Sequence, residues 1–329
     1  VLFLLAVLIV TSLAWASKYL QPPEERGFPK QSVIPPGMSL IRVAEMLTGE
    51  GVLRSPYPFL LLARIKGVAS KIKAGEYLFR DPEPPDEVLA HLVKGEVVLH
   101  RITFPEGYTM RQIAELLERK GLAKADAFLQ KASDPEFLTL LGIEGKNPEG
   151  FLFPDTYYFS SGLDVEAIIR KLVSGFWAVV GEREKKRAKE LGFSIKEIAI
   201  MASIIEKETP NDQEKPIVSA VFYNRLKKGI RLESDPTVIY GLEHFNGNLR
   251  RRDLKRKSPY NTYVIRGFPP GPIANPGKAS ILAALYPAAV KYLYFVSRND
   301  GTHQFSKTLS EHNRAVYKYQ KRRKSRGRR

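Results

Sequence analysis

Ile198-Ala199-Ile200-Met201-Ala202-Ser203-Ile204-Ile205-Glu206-Lys207-Glu208-Thr209-Pro210 is an apolar run that ends in two carboxylates. Small or apolar side chains at every position from Ile198 to Ile205 predict a helix buried on all sides, which requires a folded domain around it. Ser203 and Ala202 lie one turn before Glu206, and Ala199 and Ile198 one turn earlier, so the spacing predicts a poorly hydrated surrounding for Glu206. Glu208 points about 200° away around a helix of about 3.6 residues per turn, so the two carboxylates do not face each other. Two roles fit Glu206: a general acid delivered to a polar site, or a helix-terminal carboxylate paired with Arg225 or a nearby lysine.

Downstream, Val218–Leu226 reads as a helix with Asn224 and Arg225 at its polar end, followed by Leu232-Glu233-Ser234-Asp235-Pro236-Thr237-Val238-Ile239-Tyr240-Gly241. Ser258-Pro259-Tyr260-Asn261-Thr262-Tyr263 then leads into Gly267–Gly277, whose proline, glycine and asparagine content predicts rigid loops that display polar groups. Asn299-Asp300-Gly301 is a hairpin signal between two short strands, and Leu309–Tyr319 reads as helical. The five histidines lack H-E-x-x-H spacing, and no G-x-S-x-G elbow, Walker loop or G-x-G-x-x-G turn occurs. These absences disfavour a zinc protease, a serine hydrolase and a nucleotide enzyme, and leave His303 as a minor candidate.

Upstream, Glu149–Phe159 gathers aromatic side chains that suit either a core strand or stacking on sugar rings. Before it an internal repeat is visible. Val33–Ser39 with Val43-Ala44-Glu45-Met46-Leu47 and Gly51 matches Ile102–Thr109 with Ile113-Ala114-Glu115-Leu116-Leu117 and Gly121, at an offset of 70. Each copy predicts a strand, a Pro/Gly turn, a Ser or Thr cap and an amphipathic helix. With the strand at Lys73–Phe79, the first copy has the order strand, helix, helix, strand, and it resembles a LysM-like module, a small fold that binds N-acetylglucosamine-containing glycans. A purely structural α+β unit accounts for the same pattern.

Val1–Ala16 is apolar except for Thr11 and Ser12, and as a helix would span roughly 24 Å against a ~30 Å hydrocarbon core. A membrane anchor is the expectation, a signal peptide ending in Ala14-Trp15-Ala16 the alternative. Ser17–Lys30, rich in proline and glutamate, predicts an exposed linker. Lys318–Arg329 holds eight Lys or Arg among twelve residues, a basic disordered tail.

The 329 residues are 43% hydrophobic, enough for two or three domains, and contain no cysteine, which removes disulfides and thiolate chemistry. A formal charge of +17 points to an anionic partner. Nucleic acid is disfavoured, because a hydrophobic N-terminus directs the chain to a membrane.

The ordered motifs Ala202–Thr209, Val221–Leu226, Asp235–Gly241, Ser258–Tyr263 and Ile273-Ala274-Asn275-Pro276-Gly277 resemble those of the MltG (YceG-like) endolytic murein transglycosylases. Taken with the readings above, the resemblance implies an α+β architecture in five parts, of which the basic tail is an extension beyond the family pattern. These are an N-terminal transmembrane helix (1–16), a linker (17–30), a LysM-like module (31–100), a larger catalytic domain (101–317) and the tail (318–329). It implies a single-pass inner-membrane protein with its bulk on the periplasmic side, cutting nascent peptidoglycan strands near the machinery that makes them, with no cofactor and no metal. Glu206 falls on the catalytic position, as general acid and then base in forming 1,6-anhydro ends. Glu208, Asn224, Arg225, Asp235, Tyr240, Asn261, Thr262, Tyr263 and Asn275 fall on motif positions expected around the glycan. An inactive glycan-binding scaffold and a muramidase that adds water are the competing expectations.

Overall fold

A computed structural model describes residues 19–321. The predicted anchor at 1–16 lies outside the described residues, as do 322–329 of the predicted tail. No helix among the described residues is long and apolar enough to cross a membrane. The chain is mixed α+β and divides into two compact units.

The first unit runs to Ile102 and takes in 119–123 and 157–168. Strand β1 (Lys30–Ile34) is followed by helices α1 (Leu40–Gly49) and α2 (Pro56–Ile65), strand β2 (Gly75–Phe79) and helix α3 (Pro85–Lys94). β1 and β2 pair antiparallel, Lys30 opposite Phe79 and Ile34 opposite Gly75. The order strand, helix, helix, strand is the one expected. Val43, Ala44, Leu47, Phe59, Tyr77, Phe79, Val88 and Leu92 form its core. The end of the linker is engaged in this unit: Pro22 accepts from Arg54 Nε at 2.7 Å, and Lys30 Nζ caps the carbonyls of Glu50 and Gly51. Residues 157–168 join because Ser161 Oγ and the buried Glu76 both meet His100 Nε2, at 3.0 and 2.7 Å. Because both partners use one ring nitrogen, this cluster is not a nucleophilic triad, which needs both.

The second unit holds 103–118, 124–156 and the chain from Ile169 onward. Its first elements repeat the conformation of the first copy. The strand before each turn is β1 or β3 (His100–Thr103), the turn glycines Gly37 and Gly107 have φ of 77° and 74°, and Ser39 or Thr109 caps the next helix, α1 or α4 (Met110–Arg119). Two short helices, α5 (Ala125–Ala132) and α6 (Pro135–Leu140), precede β4 (Thr156–Phe159), which pairs with β3.

Helices α7 (Val165–Val179), α8 (Glu182–Leu191), α9 (Ile195–Glu208), α10 (Lys215–Lys227), α11 (Asp235–Tyr240) and α12 (Lys278–Leu285) follow. The opening stretch is α9, started by a reciprocal Ser194–Glu197 capping box, and every residue from Ile198 to Ile205 is buried. It packs chiefly on α12, whose Ala283 and Ala284 permit close approach, and on α10. Each buried isoleucine contributes about 1.5–3 kcal/mol. Between Arg256 and α12 no helix or strand forms, and the loops are held by side chains instead. The hairpin β5 (Tyr294–Ser297) and β6 (His303–Ser306) pairs antiparallel across the expected turn. Helix α13 (Leu309–Val316) continues as a π turn, Tyr317–Lys321, so helical structure enters the stretch assigned to the tail.

Candidate active site

The end of α9 delivers Glu206 to the start of α12 and the start of α10, within the second unit. Glu206 Oε2 accepts from the Gly277 N–H at 2.9 Å and from Ser280 Oγ at 2.7 Å. Oε1 stands 3.5 Å from Lys215 Nζ, and both side chains are nearly closed to solvent, at 8% and 2% exposure. The surrounding is poorly hydrated, as expected, but only the helix up to Ile205 is apolar: the carboxyl itself meets two donors and an ammonium. These come from residues far along the chain, which helical spacing does not reveal. Lys215 also pairs with Asp212 at 2.8 Å. Burial works against its charge, and Asp212, Glu206 and Glu106 outweigh that, leaving the ammonium above the usual lysine range.

Glu106 was not among the predicted site residues. It follows Pro105 in the turn after β3, faces solvent on one side and lies on Gly277 on the other, where an added Cβ would fall 1.8 Å from its Oε1. Partial burial, and then the Glu206 charge, raise its carboxyl above the ordinary range. The repeat carried a signal for it: its counterpart in the first copy is Pro36, so an acid appears only in the second turn.

That turn is fixed by Asn275. Its Oδ1 accepts from the N–H groups of Gly150 and Leu152, at 2.8 and 3.0 Å. Its Nδ2 donates to Glu149 Oε1 and to the Tyr108 carbonyl, while its backbone exchanges bonds with Gly107 and Tyr108. Glu149 completes the knot, accepting also from the Met110 N–H and the Tyr240 hydroxyl. Burial pushes the Glu149 carboxyl up to about 7, against the pull of these three donors. The Tyr240 ring packs on Tyr260 at a 56° tilt, ring centroids 4.8 Å apart.

Glu208 turns the other way, as its spacing predicts, and accepts from Ser234 Oγ. Beside it Asp235 accepts from the Tyr263 hydroxyl at 2.6 Å, and Thr262 bonds Ser234 N–H and Thr237. Asn261 donates to the carbonyls of Leu254 and Arg256, clamping a loop rich in arginine and lysine. Asn224 donates to Val290 and Tyr292 carbonyls, and Arg225 to those of Leu293, Arg231 and Leu232 and to Glu233, so α10 holds β5. Arg225 therefore pairs with Glu233 and not with Glu206. His303 meets Glu214 at 2.7 Å, next to Lys215, and ties β6 to the start of α10. The structure thus gathers Glu206, Lys215, Gly277, Ser280 and Glu106 in one place and Glu208, Asp235 and Tyr263 in another. Asn261, Thr262 and Asn275 are internal, their polar groups bonded within the chain.

Burial also pushes Glu208 up to about 7, with Ser234 opposing and Asp235 adding. Both raised acids bind their proton more tightly folded than unfolded, so the stability these two contribute is fully present below about 4.5 and is lost as pH rises through about 7. Melting scans should give a higher Tm at about pH 5.5 than at about pH 7.5. Glu208→Gln, which keeps the acceptor for Ser234, should narrow that gap, and an unchanged gap would exclude Glu208 as a source.

The YceG-like family model matches residues 32–318. The endolytic murein transglycosylase of Bacillus subtilis is 33% identical over 95% of this chain and 91% of its own length. That of Streptococcus pneumoniae serotype 2 is 27% identical over 86% of this chain and 57% of its own. A crystal structure of a YceG-like protein from Listeria monocytogenes superposes with a TM-score of 0.59 at 32% identity, covering 86% of this chain and 97% of that one.

Proposed function

This chain belongs to the YceG-like family, and from that premise we propose that it is an endolytic murein transglycosylase, cutting peptidoglycan strands between N-acetylmuramic acid and N-acetylglucosamine. Glu206 protonates the bridging oxygen as the bond breaks, then takes a proton from the muramic 6-hydroxyl as that oxygen closes a 1,6-anhydro ring. Because the nucleophile belongs to the substrate, no water is consumed. The observation that carries this reading is the Glu206 carboxyl following the buried run Ile198–Ile205 of α9, held by Gly277 N–H and Ser280 beside Lys215. Donors of this kind orient a carboxyl and stabilise its ionised form after it has given up its proton.

Glu208, Asp235, Tyr240 and Tyr263 line the path of the glycan, while Asn224, Arg225, Asn261, Thr262 and Asn275 hold the loops that shape it. The strand–helix–helix–strand unit serves as a LysM-like grip on the same polymer. The apolar Val1–Ala16 segment anchors the chain in the cytoplasmic membrane, its bulk periplasmic and close to the peptidoglycan synthesis machinery.

Incubating the chain with purified glycan strands and weighing the products tests the reaction. Ends one water lighter than reducing ends are expected. Products carrying only reducing ends would make the enzyme a muramidase, and intact strands would make it a scaffold.

A further inference from the structure

Two carboxyls meet at Gly277. Its N–H donates to Glu206 Oε2, and its Cα carries the Glu106 carboxyl so closely that no side chain fits between them. The next residue of the same turn, Gly107, backs onto Glu206 itself: a Cβ there would lie 3.6 Å from Glu206 Cγ. The turn cannot drift, because Gly107 N–H donates to the Asn275 carbonyl and Lys207 Nζ to the Gly107 carbonyl. The charged groups acting on Glu106 are Glu206 near the end of α9, Lys215 at the start of α10 and Asp212 just before it. Glu206 has its oxygens engaged by donors, whereas Glu106 is open to solvent.

Resting on the function proposed above, we propose that Glu106 is a positioning residue acting through Glu206, the second carboxyl of a pair that holds one proton between them. Both carboxyls lie against Gly277, and neighbouring carboxylates repel one another when both are charged, so a charge on Glu106 favours the state in which the pair keeps one proton. The shift of Glu106 caused by the Glu206 charge is consistent with this coupling. In the cycle the pair enters singly protonated. The proton leaves through Glu206 to the bridging oxygen as the C1–O bond breaks, and both carboxylates are then charged beside the Lys215 ammonium. Glu206 recovers a proton from the muramic 6-hydroxyl as the new C1–O6 bond forms. Every proton given is returned, and no co-reactant is needed.

The test is the pH profile of anhydro-end formation by the full chain on purified glycan strands, for wild type, Glu106→Gln, Glu106→Asp and Glu206→Gln. Glu106→Gln is expected to move the alkaline limb of kcat/KM down by about one pH unit or more. It should lose roughly tenfold in kcat near neutral pH, recover at acidic pH and leave KM unchanged. Glu106→Asp should restore most of the neutral-pH rate. An unmoved alkaline limb, or an equal loss at every pH with a raised KM, would overturn the pairing and leave Glu106 as a structural or substrate-contacting residue. Glu206→Gln separates the two proposals: it should be inactive at every pH whether or not the pair exists, and activity in it would instead remove the reading on which the pairing rests.

Discussion

Glu206→Gln is expected to abolish release of anhydro-ended glycans while the protein stays folded. The amide keeps the size of the carboxyl, and its oxygen still accepts from Gly277 N–H or Ser280 Oγ. What it loses is the exchangeable proton, and general acid–base groups of this kind contribute about 10²–10⁴-fold in rate. In the proposed cycle one carboxyl serves both the bond-breaking and the ring-closing step, so the loss should lie at or beyond the upper end of that range. Mass spectrometry of digested strands reads the activity, and thermal unfolding reads the fold. A variant that unfolds like wild type and still yields anhydro ends would assign the chemistry to another residue.

Asn275→Ala should produce the largest change in stability. The substitution leaves the buried N–H groups of Gly150 and Leu152 without their acceptor and removes one donor from Glu149. Each buried polar group left unsatisfied costs about 1–3 kcal/mol, which gives about 2–6 kcal/mol for the two N–H groups. The transition temperature should fall by roughly 10 °C. Activity should fall with it, since Asn275 joins the turn of Glu106 to the loop of Gly277. Asn275→Asp is a sharper probe: it keeps an acceptor for the two N–H groups but sets a second carboxylate against Glu149. Its defect should therefore ease at acidic pH, where both carboxyls hold protons, and the Asn275→Ala defect should not. A pH-independent Asn275→Asp defect would mean that the charge at Glu149 plays no part.

The helices, the hairpin and the 70-residue repeat were legible in the sequence because each depends on neighbours within a turn or two. α10 begins three residues before the expected Val218, with Pro216 in its first turn, where a missing N–H is tolerated. Asp235–Tyr240 likewise forms a short helix with Pro236 in its first turn. Asp155, within the aromatic Glu149–Phe159 stretch, accepts from the N–H of its own neighbour Thr156 at 2.7 Å.

From the sequence alone came a helix apolar on every side, ending in a carboxylate that points away from Glu208, and motifs in the order of one family. These rest on helical periodicity, which is local. Only the tertiary structure placed Gly277, Ser280, Lys215 and Glu106 around that carboxylate, because hydrogen bonds and charges act through space between residues that can lie 100 positions apart along the chain. It also distinguished the asparagines and threonines that hold the loops from the side chains left open to a ligand. A polar residue in a glycine- and proline-rich stretch reads alike in either role until its hydrogen-bond partners are known.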